Sequence, residues 1–123
     1  MLNAECSIKM SENTIENKSF DFAIRIVNLY KYLNTEKKEY VMSKQLLRSG
    51  TSIGANVAEA ERAQTKPDFH SKMSNAVKEA NETYYWIKLL YKTEYLTKNE
   101  FESLDSDINE ILSILIAICK NSK

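Results

Sequence analysis

The 123-residue sequence has only two glycines, one proline and two cysteines, and each scarcity argues against a class of structure. A multistranded antiparallel sheet uses glycine and proline at its many tight turns, so this composition predicts an all-helical protein. Cys6 and Cys119 lie near opposite ends of the chain, without CxxC spacing. We therefore expect two free thiols and no disulfide framework.

Long apolar runs and an excess of one charge are also missing. No run of about 18 apolar residues occurs, so we expect no transmembrane helix and no membrane partner. The N-terminal segment has no uninterrupted apolar core of the kind found in signal peptides, which predicts a cytoplasmic protein. Seventeen basic residues balance seventeen acidic residues, and the signs alternate along the chain. This pattern indicates no broad surface for nucleic acid or an anionic membrane.

Groups that could perform catalysis or bind a metal are few. His70 is the one histidine, and no cysteine or second histidine lies at metal-ligand spacing from it. Ser49, Thr51 and Ser52 have no general base beside them in the sequence that would activate a hydroxyl nucleophile. We therefore predict no catalytic residue, no metal site, no cofactor and no small-molecule substrate.

Helical periodicity is absent from the first residues and clear in the rest. Residues 1–17 are mostly polar, and we expect a loosely ordered arm there, followed by a folded domain over residues 18–121. Ser19 is a plausible N-cap for the first helix. The predicted helices cover about 20–33, 35–63, 67–92 and 98–119, and the second is the longest.

Two helix N-termini and three short connections between helices determine the expected topology. Thr65-x-x-Asp68 and Thr97-x-x-Glu100 have the spacing of capping boxes ahead of the third and fourth helices. Short connections between helices of similar length place neighbours antiparallel. The sequence therefore predicts an all-α, up-down-up-down antiparallel four-helix bundle in one domain.

The first predicted helix has apolar residues on two sides. The side that would face the core carries Phe22, Ile26, Leu29 and Leu33. The nearly opposite side carries Phe20, Ile24, Val27 and Tyr30. Because this second set needs another apolar surface to cover it, we predict that it forms an interface in a homo-oligomer.

Both glycines lie in the second predicted helix, where each costs about 1 kcal/mol relative to alanine. Gly50, Gly54 and Ala58 are spaced four apart and form a ridge on which no side chain exceeds a methyl group. Such a ridge lets another helix approach closely. A phosphate-binding loop would need a strand before the glycines and usually a lysine after them, and the sequence has neither. Helix packing is therefore the prediction.

A polar stripe follows another face of the same helix. It consists of Arg48, Ser52, Asn56, Glu59 and Arg62. The simpler interpretation is a solvated face on which Glu59 and Arg62 form a surface ion pair. The alternative is a set of polar contacts between or within subunits. The spacing alone leaves both open.

The segment QLLRSGTSIGANVAEAERA resembles the signature of the 23S rRNA intervening sequence proteins, also called the S23 ribosomal protein family. The matching positions are Gln45, Arg48, Ser52, Ile53, Asn56, Val57, Ala58, Glu59 and Arg62. The later segment DFHSKMSNAVKEANETYYWIKLL resembles the third helix of that family, and the likeness extends over about residues 18–120. This chain has Gly54 where the family often has proline, and Ala60 where it has glycine.

The resemblance implies a bacterial four-helix bundle that assembles into a homopentamer around a central channel, with no enzymatic activity. We therefore expect a non-catalytic scaffold or adaptor whose first partner is itself. A related branch is the accessory protein of diversity-generating retroelements, which associates with reverse transcriptase and nucleic acid. Because this chain is neutral overall, nucleic-acid binding is the alternative and not the leading hypothesis. In it, a basic rim of the assembled oligomer binds RNA or a nucleic-acid enzyme.

Overall fold

A computed structural model describes residues 14–122. It contains four helices: α1 (Ile15–Thr35), α2 (Met42–Glu61), α3 (Lys66–Lys92) and α4 (Lys98–Asn121). Each helix packs against the next one in the chain, and α4 returns to α1. The described residues contain no strand. The predicted four-helix bundle is confirmed.

The first helix begins earlier than predicted. Thr14 is its N-cap, and the Thr14 hydroxyl oxygen accepts a hydrogen bond from the Asn17 backbone N–H at 3.2 Å. Ser19, the predicted cap, lies buried inside α1 and donates its hydroxyl to the Glu16 carbonyl at 3.1 Å. Ile15, which we placed in the arm, is helical and belongs to the core. Residues 1–13 lie outside the described residues, and the arm stays a prediction for them.

The second helix begins later than predicted, at Met42. Lys38 has a φ of 55°, in the left-handed region that an α-helix does not use. The buried carboxylate of Glu39 accepts hydrogen bonds from the backbone N–H groups of Val41, Met42 and Ser43, at 3.2, 3.1 and 2.7 Å. These are donors that the start of a helix would otherwise leave unpaired. The turn shortens α2 to 20 residues, so the longest helix is α3, with 27.

The starts of α3 and α4 agree with the sequence. The Thr65 hydroxyl accepts a hydrogen bond from the Asp68 backbone N–H at 3.2 Å. At α4 the capping box is complete, because Thr97 accepts from the Glu100 N–H and the Glu100 carboxylate accepts from the Thr97 N–H. Both caps pair N–H groups that have no partner within the helix.

One apolar core runs through the bundle. The inner side of α1 contributes Phe22, Ile26 and Leu33, all buried, and the half-buried Leu29. Fully buried partners from the other helices include Leu46, Ile53, Met73, Ile87, Leu90, Ile108 and Leu115. No helix between residues 14 and 122 combines the length and apolarity needed to cross a membrane.

Candidate interaction surfaces

The two glycines lie where α2 passes closest to α1. A Cβ atom built on Gly50 would be 2.8 Å from Ile26 Cγ2, and one built on Gly54 would be 3.2 Å from the Ser19 carbonyl oxygen. Neither glycine has a positive φ, and both lie inside α2. The structure therefore uses them for close packing within the chain. Ala58, the third residue of the ridge, is exposed.

Arg48, the first member of the polar stripe, reaches α3 of the same chain. The Arg48 guanidinium contacts Glu79 Oε1 at 3.2 Å and also pairs with the carboxylate of Glu82. Glu82 in turn accepts a hydrogen bond from Trp86 Nε1 at 3.0 Å. These contacts connect the outer edges of α2 and α3 above the core.

The other members of the stripe are divided between α3 and their own helix. Glu59 Oε1 lies 3.3 Å from Lys72 Nζ on α3, so its ion pair is not the one expected with Arg62. Ser52 donates its hydroxyl to the Arg48 carbonyl at 2.6 Å, and Asn56 donates its amide to the Ser52 carbonyl at 2.9 Å. The stripe thus makes contacts within the subunit. Its contacts between subunits stay a prediction.

A buried pair of hydroxyl groups lies deeper between the same two helices. Thr83 Oγ1 lies 3.0 Å from Ser49 Oγ and 2.7 Å from the Glu79 carbonyl, and both side chains are fully buried. From the sequence, Ser49 is only a hydroxyl group without a neighbouring base. The hydroxyls instead satisfy one another inside the bundle, as buried polar groups must.

The outer side of α1 is apolar and exposed. Phe20 is 63% exposed and Ile24 is 48% exposed, while Val27 and Tyr30 are half-buried. These four residues, called here the α1 surface, lie on the side of the helix away from the core. An exposed aromatic and an exposed isoleucine one turn apart form the kind of patch that marks an interaction site.

Charged side chains connect α1 to α4. Lys18 Nζ lies 3.3 Å from Glu110 Oε1, and Arg25 Nη1 lies 2.7 Å from Asp107 Oδ2. Arg25 also donates from Nη2 to Ser103 Oγ at 2.8 Å. The sequence alone did not predict these pairs, because each joins residues far apart in the chain. The sequence does contain one signal for them, because helical spacing places the basic residues Lys18 and Arg25 on one side of α1.

Two open grooves lie along the outer face of α3, and α4 lines one side of the first. One has a volume of about 340 Å³ and is lined by Ser74, Val77, Lys78, Ile116, Cys119 and Lys120. The other has a volume of about 220 Å³ and is lined by Tyr85, Lys88, Leu89 and Lys92. Each groove thus combines apolar side chains with two lysines. The sequence analysis did not predict this surface, although the helical spacing of Lys78, Lys88 and Lys92 places all three on one side of α3.

The single histidine contacts the end of α4. His70 Nδ1 lies 2.8 Å from Ser122 Oγ, so the contact joins the start of α3 to the end of α4. Within residues 14–122, no group of three or more histidine, cysteine, aspartate or glutamate side chains is arranged to hold a metal ion.

Comparison with known proteins gives one family and a close structural relative. A family model described as "23S rRNA-intervening sequence protein" matches residues 11–117. The fold is similar to the crystal structure of a protein with unknown function from the S23 ribosomal protein family of Bacteroides thetaiotaomicron. The two chains are 58% identical, with a TM-score of 0.86, and the alignment covers 87% of this chain and 99% of that one. The curated proteins include no match to this sequence.

Proposed function

The chain belongs to the family of 23S rRNA-intervening sequence proteins, and from this premise we propose that it is a non-catalytic, self-assembling scaffold or adaptor that forms a homopentamer. The solved relative is described as a protein with unknown function, so family membership assigns no reaction. The proposal is supported mainly by the exposed α1 surface.

Covering the α1 surface is energetically favourable. Full burial of one large apolar side chain contributes about 1.5–3 kcal/mol relative to full exposure, and Phe20 and Ile24 remain 63% and 48% exposed in the isolated chain. A neighbouring copy would remove this area from water. The surface contains no charged residue whose desolvation would oppose the contact.

Exposed alanines of α2 provide the second subunit surface that a ring needs. A closed ring requires each subunit to offer two different surfaces, one to each neighbour. Ala55 and Ala58 of α2 are exposed and small, and they follow Gly54, which packs against Ser19 of α1. In the proposed contact, Phe20 of one copy packs over these alanines of the next copy. Every subunit then uses both surfaces.

Light scattering coupled to gel filtration tests the assembly. We expect a particle of about 71 kDa, five times the 14.2 kDa mass of one chain. Phe20→Asp together with Ile24→Asp should shift the particle to the mass of one chain, because the charges would have to be buried. Val41→Asp is the control, since Val41 is 75% exposed in the turn between α1 and α2. A wild-type particle of one chain would contradict the proposal.

Nucleic-acid binding is the second candidate, and the turn between α1 and α2 favours it. Exposed lysines surround this turn, at positions 31, 37, 38 and 44. Tyr40 is 52% exposed there, and Lys37 Nζ lies 6.0 Å from the ring centroid of Tyr32. Lysines beside exposed aromatic rings are typical of surfaces that bind single strands. A symmetric assembly would repeat the turn once per subunit and form a basic rim.

Fluorescence anisotropy with single-stranded RNA tests this second candidate. If the rim binds RNA, affinity should fall steeply as salt rises, because phosphate contacts release counterions. Lys37→Glu together with Lys38→Glu should weaken binding and flatten the salt dependence. No association at low salt would contradict the candidate.

A further inference from the structure

We propose that the outer face of α3 and α4 is a docking surface for an acidic amphipathic helix of a partner protein. This inference rests on the proposed adaptor function, because it describes what the adaptor binds, but it does not depend on the α1 surface. The α3–α4 face is defined here by the two grooves described above.

The grooves combine exposed apolar area with an elongated shape. Ile116 is 44% exposed in the first groove and Tyr85 is 57% exposed in the second. Val77 lines the first groove and Leu89 the second. Twelve residues of α3 separate these two positions, a distance of about 18 Å at a rise of 1.5 Å per residue. A ligand that fills both grooves must be extended, and a helix of about three to four turns has that length.

The lysines beside these grooves have no carboxylate partners among residues 14–122, although Lys92 Nζ lies 5.6 Å from the ring centroid of Tyr91. All five ion pairs formed within residues 14–122 join α1 to α4 or α2 to α3. Lys78 and Lys120 border the first groove, Lys88 and Lys92 border the second, and none of the four pairs with a carboxylate in that part of the chain. Asp105, which lines neither groove, accepts a hydrogen bond from Asn109 Nδ2 within α4 at 3.0 Å.

Charge complementarity selects the occupant. Aspartate or glutamate side chains that flank an apolar stripe would meet lysines at both grooves while the stripe covers the apolar lining. RNA fits less well, because nucleic-acid interfaces are polar, whereas Val77 and Ile116 line the first groove and Leu89 lines the second. The α1 surface of a second copy is also a poor match, since its four residues supply no carboxylate.

A synthetic helical peptide tests the proposal with the full-length protein. The probe is a fluorescein-labelled peptide of four turns, with leucines along one face and glutamates beside them. We expect it to bind at low salt, and to bind about tenfold more weakly when lysines replace its glutamates or serines replace its leucines. Lys78→Glu together with Lys120→Glu should weaken binding of the original peptide about tenfold. Lys66→Glu with Lys98→Glu makes the same charge change at exposed positions that line neither groove, and it should leave binding unchanged.

Cys119 provides a readout at the site itself. Because this half-buried thiol lines the first groove, the bound peptide should slow its alkylation by iodoacetamide in a Cys6→Ser background. Peptide binding that is insensitive to Lys78→Glu with Lys120→Glu, or that leaves Cys119 unprotected, would overturn the proposal. So would RNA binding, or a change in particle mass, that depends on these two lysines.

The two proposals fail in different ways. A wild-type particle with the mass of one chain that still binds the peptide would contradict self-assembly and support the docking surface. A pentamer that does not bind the peptide would support self-assembly and contradict the docking surface.

Discussion

Replacing Gly50 by alanine adds one methyl group at the closest approach of α1 and α2. The new Cβ would lie 2.8 and 2.9 Å from the two γ-carbons of Ile26, distances at which one group must move. Ile26 is fully buried, and branching at its Cβ leaves it few rotamers, so it cannot swing aside. Overpacking of this kind costs about 1–3 kcal/mol, whereas alanine gains about 1 kcal/mol in helix propensity. We therefore expect Gly50→Ala to lower the free energy of unfolding by about 1 kcal/mol.

Urea denaturation followed by circular dichroism measures this effect. Protein concentration must be held constant, since assembly contributes to stability. Ala117→Gly is the control, because Ala117 is exposed inside α4, outside both proposed subunit surfaces, and its replacement reports the propensity difference alone.

A double-mutant cycle attributes the cost to the contact itself. Ile26→Ala alone should cost about 2–5 kcal/mol. With Gly50→Ala added, the total should be about 1–3 kcal/mol less than the sum of the two single effects, because the added methyl occupies space that the smaller side chain leaves. If Gly50→Ala stabilises the protein by about 1 kcal/mol, as propensity alone requires, the packing explanation is wrong.

Three further predictions use the same urea assay. Glu39→Ala should cost about 1–2 kcal/mol, because three backbone N–H groups at the start of α2 lose their acceptor. Glu39→Gln keeps one acceptor oxygen, so its stability should lie between those of the wild type and Glu39→Ala. An unchanged urea midpoint in Glu39→Ala would contradict this role. Thr83→Val should cost about 1–3 kcal/mol by removing a partner of the buried Ser49 hydroxyl. Adding Ser49→Ala should recover part of this loss. If the two single-mutant changes in unfolding free energy simply add, the hydroxyl pair does not contribute as described. Arg48→Ala should cost less than about 1 kcal/mol, because its side chain is 49% exposed and water screens its ion pairs; a larger loss that persists at high salt would show that screening was overestimated.

Local signals predicted the starts of α3 and α4 and failed at the starts of α1 and α2. Thr97 and Glu100 satisfy each other's backbone N–H groups within four residues, so no distant contact is needed to recognise that start. Thr14 and Ser19 are both suitable caps, and burial of Ile15 in the core favours the earlier one. At α2, the chain reverses through a left-handed Lys38, and Glu39 then caps the helix with its side chain. Helix propensity does not detect such a turn.

The sequence by itself determined the four helices, the inner side of α1 and the positions in α2 where a backbone could approach closely. Each of these depends on the helical period and on neighbouring residues. Only the tertiary structure decided that the glycines meet α1 and that Arg48 and Glu59 reach α3. The physical reason is that periodicity assigns a residue to a face of its helix, whereas the packing and register of the helices decide what that face meets. The same register pairs charges between α1 and α4 and between α2 and α3, and leaves the lysines of the α3–α4 face without carboxylate partners among residues 14–122.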